Sequence, residues 1–372
     1  HRWHAIINPA SSMTPIEFRR ALHRRPELSF QEHETQQFII DALHSEGIPY
    51  RVIAGTGVLA IIEGKRGNHE RAVVLRADID ALPIEELNDI EYHSENKGVM
   101  HACGHDMHAG VLFGVLQNLN RERNFEGTLF GIFQPGEELN PGGASLVLKE
   151  EPFKGYDVAA VIGEHVDARL EVGEIGICPG RFMASNDELR FRISGRGGHA
   201  ARRKEIDDTV TAMADMVIRT TSLNSPDAVV SVGRMIADGA TNVIPSTVTA
   251  EGTMRTFDRE VRERIYTHIH GNARMVAEKY GVEVDVDINR GYPCVTNNVF
   301  LSYEAMIVAA DEGITVRELQ PMTTAEDFGY YTERYPSLFY RLGVGGKAGG
   351  SHTATFCPDE GAIEVGVRMM QR

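Results

Sequence analysis

An α/β architecture carrying an inserted, smaller α+β domain is the fold class predicted for this 372-residue chain. Three features predict it. Short apolar runs at 72–77, 127–133 and 158–162 are separated by stretches with helical periodicity, the pattern of parallel strands joined by crossover helices. Each run empties into acid or histidine: Asp78-Ile79-Asp80, then Glu137-Glu138, then Glu164-His165. Near Met183 the texture shifts to alternating strands and long charged helices, and it shifts back after Pro293.

Taken in order, Thr14 followed by Pro15 and Glu17 reads as a helix N-cap, a proline at the first helical position and an acidic first turn. Pro26 ends that helix. A second spans 32–45, with Phe38, Ile39 and Leu43 on one face and Gly47 as its stop. The β-rich runs around Gly55 and Gly57 within 52–63 read as strand, as does 72–77. Right-handed crossovers between successive parallel strands bring their C-terminal ends to one rim of a sheet, where open α/β folds bind ligands.

Between 184 and 293 the predicted order is strand 187–194, helix 206–221, strands 228–236 and 247–256, helix 259–280 and strand 282–288. That is a small α+β domain with a four-stranded sheet. The remaining segments, 1–183 and 294–372, form the larger domain. Its second segment holds a helix at 301–310, a Gly-rich loop at 343–350 and a last helix after His352.

Composition narrows the function. A hydrophobic fraction of 42 %, a charged fraction of 24 % and a net charge of −15 describe an ordinary globular chain without the basic footprint that nucleic acid or anionic membrane requires. No apolar stretch approaches the length of about 18 residues expected of a membrane helix. The four cysteines, Cys103, Cys178, Cys294 and Cys357, are unpaired in spacing and suit a reducing cytoplasm. The N-terminal HRWHAIINPASS, residues 1–12, lacks the apolar core of a signal peptide and is set aside from the fold.

HACGHDMHAG, residues 101–110, concentrates three histidines, one cysteine and one aspartate just before an apolar helix. Imidazole, thiolate and carboxylate are the ligands of borderline transition metals, yet the spacing is too tight for a zinc finger. A metal site here needs ligands from elsewhere. Asp78, Asp80, Glu137, Glu138, His165 and His352 are the candidates, all at strand ends or in loops.

RADIDALP, HACGHDMH, QPGEE, GEHV, GRGGHAA, TNVIP and the late SHT, taken together and in this order, resemble the aminoacylase and hippurate hydrolase-like dinuclear metallopeptidases. The similarity is to the amidohydrolase branch, which holds auxin-conjugate hydrolases and N-acetyl-diaminopimelate deacetylase. It covers the chain from about Met13. The resemblance implies a zinc-peptidase-like catalytic domain with a mixed central sheet flanked by helices, and a ferredoxin-like inserted domain serving as lid and dimerisation surface.

It further implies Cys103, His105, Glu138, His165 and His352 as metal ligands for two divalent ions, zinc, manganese, cobalt or nickel. Glu137 becomes the general base and acid, and Asp80 the aspartate that supports a ligand. His199 and Asn242 become contacts to substrate and oxyanion, delivered by the lid, His199 to a partner subunit's site in dimeric relatives. Asp78 stands where many relatives carry a ligand histidine, and His101 and His108 are expected to pack or support rather than ligate. Glu164 stands where relatives are usually apolar, and Gly-Ser-His-Thr replaces their common Leu-His-Ser.

The expected activity is metal-dependent hydrolysis of N-acetyl- or N-benzoyl-type amino acids, or related small amides, to a carboxylate and a free amino acid. The expected partners are that small-molecule substrate and further copies of the chain, a homodimer or higher homo-oligomer. A dipeptidase or aminopeptidase is the neighbouring alternative, and a non-catalytic metal or peptide carrier the remote one. The Glu137-Glu138 doublet argues against a carrier, which has no use for an acid beside a ligated site.

Overall fold

Thr14 and Pro15 open the first helix as predicted. The Thr14 hydroxyl accepts from the Glu17 amide at 3.2 Å, while the Glu17 carboxylate accepts from the Thr14 amide at 2.8 Å. This reciprocal cap satisfies two donors that a helix start otherwise leaves orphaned. The structure, a computed structural model, describes residues 12–372; of the N-terminal stretch set aside above, residues 1–11 lie outside the described residues.

The chain divides into two compact units. One comprises the chain up to Gly180 with Thr296–Gln320 and Tyr330–Arg372; the other comprises Arg181–Val295 with Pro321–Gly329. In the first unit, β1 (Tyr50–Ile53) and β2 (Gly57–Glu63) form a hairpin, followed by β3 (Arg71–Asp78), β4 (Thr128–Gln134), β5 (Asp157–Asp167) and β6 (Glu174–Ile177). With strands Thr315–Glu318 and Ser337–Gly343 they make an eight-stranded sheet ordered β1, β2, β4, β3, β5, Ser337–Gly343, β6, Thr315–Glu318. β3 runs parallel to both β4 and β5, whereas β2 meets β4 antiparallel, so the sheet is mixed.

Every residue of β4 is buried, as expected of a central strand covered on both faces. The cover on one side comes from α1 (Pro15–Arg24), α2 (His33–Ser45) and α3 (His105–Glu122). Phe18 of α1 stacks on Phe113 of α3 with ring centroids 4.2 Å apart, and it also touches Phe38 and Phe133. The two helices approach so closely that a Cβ on Gly114 would lie 2.8 Å from the Pro15 ring.

Strands β3, β4 and β5 deliver Asp78, Gln134 and His165 to the same rim because they are parallel neighbours in register: Asp78 pairs with Gln134, and Arg76 with Gly163. β6, Thr315–Glu318 and Ser337–Gly343 were not anticipated. The first two are only four residues long, and in the third Arg341 interrupts the apolar run, although all seven of its residues are buried.

The second unit has the predicted order. Strands Ala228–Ala237, Thr247–Thr256, Asp187–Ser194 and Glu283–Arg290 lie side by side, all antiparallel, with helices Thr209–Thr221 and Arg259–Tyr280 packed on one face through Met213, Met216, Ile265 and Ile269. This is the ferredoxin-like arrangement. Asp187–Ser194 alternates buried and exposed residues, the half-buried strand that LRFRIS predicts.

One buried ion pair ties helix to sheet in this unit. Arg262 grips Asp187 through Nε at 3.0 Å and Nη2 at 2.6 Å, and the same guanidinium donates to the Gly291 carbonyl. Removing one partner leaves a buried charge uncompensated, at a cost of about 3–5 kcal/mol. Asp187→Ala is therefore expected to lower this unit's unfolding free energy by that amount and move its urea midpoint to lower denaturant, and an unchanged midpoint would contradict the role of the pair.

Candidate metal centre

The rim of the sheet gathers side chains from four places. β3 runs into Asp80, α3 starts at His105, the loop after β4 carries Glu137 and Glu138, and β5 presents His165. His352 joins them from the Gly-rich loop near the C-terminus; it is a non-glycine residue at φ 64°, and its amide donates to the Ala102 carbonyl at 2.8 Å. Such a backbone position is costly and persists only where surrounding contacts enforce it.

Gly104 lets the HACGHD segment turn. It holds φ 83° as the cap of α3, and a Cβ there would lie 2.5 Å from a Val166 methyl. Cys103 and His105 thereby flank a point where the chain crosses β5 closely. The Cys103 sulfur lies 3.3 Å from His165 Nε2, and His165 Nδ1 donates to the Val166 carbonyl at 2.8 Å. That donation leaves Nε2 as the lone-pair nitrogen.

Asp80 organises the centre. Its Oδ2 accepts from the Ser29 hydroxyl at 2.6 Å and from the Glu138 amide at 2.9 Å, and its Oδ1 lies 3.0 Å from His105 Nδ1. His105 Nε2 then points into the cluster with no hydrogen-bond partner, 3.8 Å from Glu138 Oε1 and 4.0 Å from Glu137 Oε2. Glu138 Oε1 is also 3.3 Å from His352 Nε2.

Donor atoms of Cys103, His105 and His165 lie within 4.8 Å of one another, and so do those of Cys103, Glu138 and His352. These two triads share the sulfur. A buried imidazole nitrogen without a hydrogen-bond partner, a thiol and a carboxylate converging on one space are the donor types of a borderline divalent ion. The residues present fit two such ions.

Electrostatics agree with that fit. Burial pushes the Cys103 thiol up to about 12 and drives the His165 imidazole well below its ordinary value, so His165 is neutral. Burial also opposes charging of His105, yet Asp78, Cys103 and Asp80 outweigh it and raise its pKa. A metal ion binding there must displace the thiol proton.

Other candidates sort by contact. His101 is fully buried, and burial lowers its pKa to about 4. Asp106 pairs with Arg19 at 2.6 Å and His23 at 2.8 Å, an internal ion cluster rather than a simple helix cap. Glu164 alternates with His165 along β5 and so faces the opposite side of the sheet, where the Tyr340 hydroxyl donates to it at 2.7 Å. In the second unit, His199 and Asn242 meet on a two-stranded ribbon: Gly198–His199 pairs with Val243–Ile244, and His199 Nε2 lies 3.5 Å from the Asn242 amide nitrogen. Arg255 donates to the Thr323 carbonyl.

Ser29 and Arg76 were not foreseen. Nothing in Leu28-Ser29-Phe30 marks Ser29, but Arg76 and Asp78 are two apart on one strand and so share a face, a signal that was readable.

The sequence profile of peptidase family M20/M25/M40 matches residues 74–372. The chain belongs to this family. It is 36 % identical over 356 residues to the N-acetyl-L-cysteine deacetylase of Bacillus subtilis strain 168, covering 94 % of this chain and 84 % of that protein. It is 34 % identical over 367 residues to the N-acetyldiaminopimelate deacetylase of Anoxybacillus flavithermus, covering 96 % of each. Among solved structures, the Bacillus subtilis YXEP protein, described as a dinuclear metal binding peptidase from the M20 family, superposes with a TM-score of 0.84 at 34 % identity, covering 96 % of this chain and 95 % of that one.

Two outcomes follow from the geometry. Asp80→Ala frees His105 to rotate and is expected to weaken zinc binding roughly 10–100-fold in competition with a chromogenic chelator; unchanged affinity would mean that Asp80 does not orient the ligand. Burial raises the Glu164 carboxyl from 4.5 to about 8, so its contribution to stability is complete below pH 4.5 and is lost as pH rises through 8. Glu164→Gln should therefore flatten the decline in metal-free stability across that window, and parallel wild-type and variant profiles would refute the assignment.

Proposed function

We propose that the chain is a metal-dependent amidohydrolase that cleaves the linear amide bond of N-acyl amino acids, releasing a carboxylate and a free amino acid. N-acetyl and N-benzoyl amino acids are the proposed substrates. The observation that carries this reading is Glu137, a buried carboxylate next in sequence to Glu138 and 4.0 Å from the unpartnered nitrogen of His105. Support also comes from relatives named as deacetylases of N-acetylcysteine and N-acetyldiaminopimelate, which match this chain over nearly its whole length.

In this reading Cys103, His105, Glu138, His165 and His352 hold two divalent ions, zinc, manganese, cobalt or nickel. Bound there, the ions would polarise the scissile carbonyl and lower the pKa of an attacking water. Glu137 takes the proton from that water and later returns it to the leaving amine nitrogen. Asp80 keeps His105 oriented. His199 and Asn242 supply hydrogen-bond donors to substrate and to the oxyanion of the tetrahedral intermediate. On His199, Nδ1 accepts from the Ala201 amide at 3.2 Å, which leaves Nε2–H as the donor.

The catalytic domain is assigned to 1–183 and 294–372, and the lid and dimerisation domain to 184–293. Strand Ala228–Ala237 is an edge of the inserted sheet and exposes Val229, Met235 and Ile236, a surface suited to a second copy. No helix among the described residues is long and apolar enough to cross a membrane, and the four free cysteines fit a reducing cytoplasm.

The test is Glu137→Gln, assayed on N-acetyl and N-benzoyl amino acids and on dipeptides, with added metal and with a chelator control. The variant is expected to keep both ions and to lose about 10²–10⁴-fold in kcat. Full activity in a variant that retains both ions would remove Glu137 from the mechanism, and turnover of dipeptides alone would move the substrate class to peptides.

A further inference from the structure

Beneath the centre lies a hydrogen-bonded chain that the proposed reaction does not use. The Tyr331 hydroxyl and Arg76 Nε both donate to Gln134 Oε1, at 3.1 and 3.0 Å. Arg76 Nη1 donates to Asp78 Oδ2 at 2.7 Å, with both side chains fully buried. Asp78 Oδ1 lies 2.6 Å from His108 Nδ1, and the Val166 amide donates to His108 Nε2 at 2.9 Å.

These contacts fix the His108 ring completely. Because the Val166 amide can only donate, Nε2 must be the bare nitrogen, and Nδ1 carries the proton given to Asp78. Neither ring nitrogen is left to bind a metal, even though donor atoms of Asp78, His105 and His108 lie within 4.8 Å of one another. Asp78 is engaged at both oxygens, Oδ2 by Arg76 and Oδ1 by His108, with Oδ2 also 3.7 Å from His105 Nε2. The peptide unit beyond the one His108 holds is the acceptor for its neighbour: the Val166 carbonyl takes the Nδ1 proton of His165.

We infer that His108 is a positioning residue for His165, anchoring the backbone amide of Val166, whose carbonyl takes the ligand's Nδ1 proton, so that His165 Nε2 faces the metal centre. Asp78, held by Arg76, fixes the tautomer that makes this anchoring work. The carboxylate and the last imidazole of this cluster are therefore a support for a ligand and not a metal site of their own. The inference rests on the dinuclear reading above and is tested so that the two can fail separately.

The direct test is nitrogen-15 NMR of histidine-labelled wild-type protein, metal-free and then loaded with cadmium-113. The metal-free spectrum is expected to show His108 as the Nδ1–H tautomer, and loading is expected to produce cadmium coupling at His165 with none at His108. An Nε2–H tautomer, or coupling at His108, would overturn the inference. Absence of cadmium binding altogether would count against the dinuclear reading, while the metal-free tautomer would still decide this one.

Variants add a second readout. Asparagine mimics the Nδ1 position of histidine and glutamine mimics Nε2, so His108→Gln can still accept from the Val166 amide and His108→Asn cannot. His108→Asn should weaken one of the two ions by roughly 10–100-fold in chelator competition, whereas His108→Gln should stay within about threefold of wild type. Equal loss in both variants, or loss in neither, would contradict the role of the Val166 contact.

Discussion

The Asp80 carboxylate is the contact on which the rest of the centre depends. Ser29, His105 and the Glu138 backbone come from three separate parts of the chain, and all three converge on its two oxygens. Burial alone would favour the protonated acid, but the hydrogen bonds outweigh burial and hold Asp80 ionised below its ordinary pKa. Only the ionised form can accept from His105 Nδ1 while also fixing the loop that carries Glu137 and Glu138. One carboxylate therefore sets the tautomer of a candidate ligand and the position of the candidate base.

Around it, the fold concentrates charges that an ordinary core would reject. Asp78, Asp80, His105 and His108 are each at most 1 % exposed, and the Cys103 thiol is held protonated by burial. Buried groups of this kind are tolerated when they are paired or coordinated. The Arg76 guanidinium compensates Asp78, while the Glu138 carboxylate lies 3.8 Å from His105 Nε2 and 3.3 Å from His352 Nε2. Asp78 is thus engaged within the fold, whereas Cys103, His105 and His165, and likewise Cys103, Glu138 and His352, converge as candidate cation ligands. The parallel register of β3, β4 and β5 makes this convergence possible, since it brings three strand ends to one rim.

Much of this was legible in residue types and spacing. Apolar runs ending in acid or histidine located the rim, where Cys103, His105 and His165 converge, as do Cys103, Glu138 and His352. The inserted domain was readable from alternation in LRFRIS and from the long charged helix closed by Gly281. What sequence could not convey is pairing across the fold. Ser29 looks like any loop serine until Asp80 accepts its hydroxyl proton. His108 and His105 sit three apart on one helix and look equivalent, yet one is locked between Asp78 and Val166 while the other turns Nε2 into the cluster without a hydrogen-bond partner. Strand Ser337–Gly343 escaped because a buried arginine breaks an otherwise apolar run, and β6 because four residues carry too little periodicity.

The central claim is that the two triads sharing Cys103 hold two ions while Glu137 stays outside their coordination, poised to carry a proton. Anomalous diffraction at the zinc edge from crystals of the zinc-loaded protein tests it most directly. The account predicts two anomalous peaks whose protein ligands are drawn only from Cys103, His105, Glu138, His165 and His352. A single peak, an ion bound between Asp78 and His108, or Glu137 in direct coordination would contradict it.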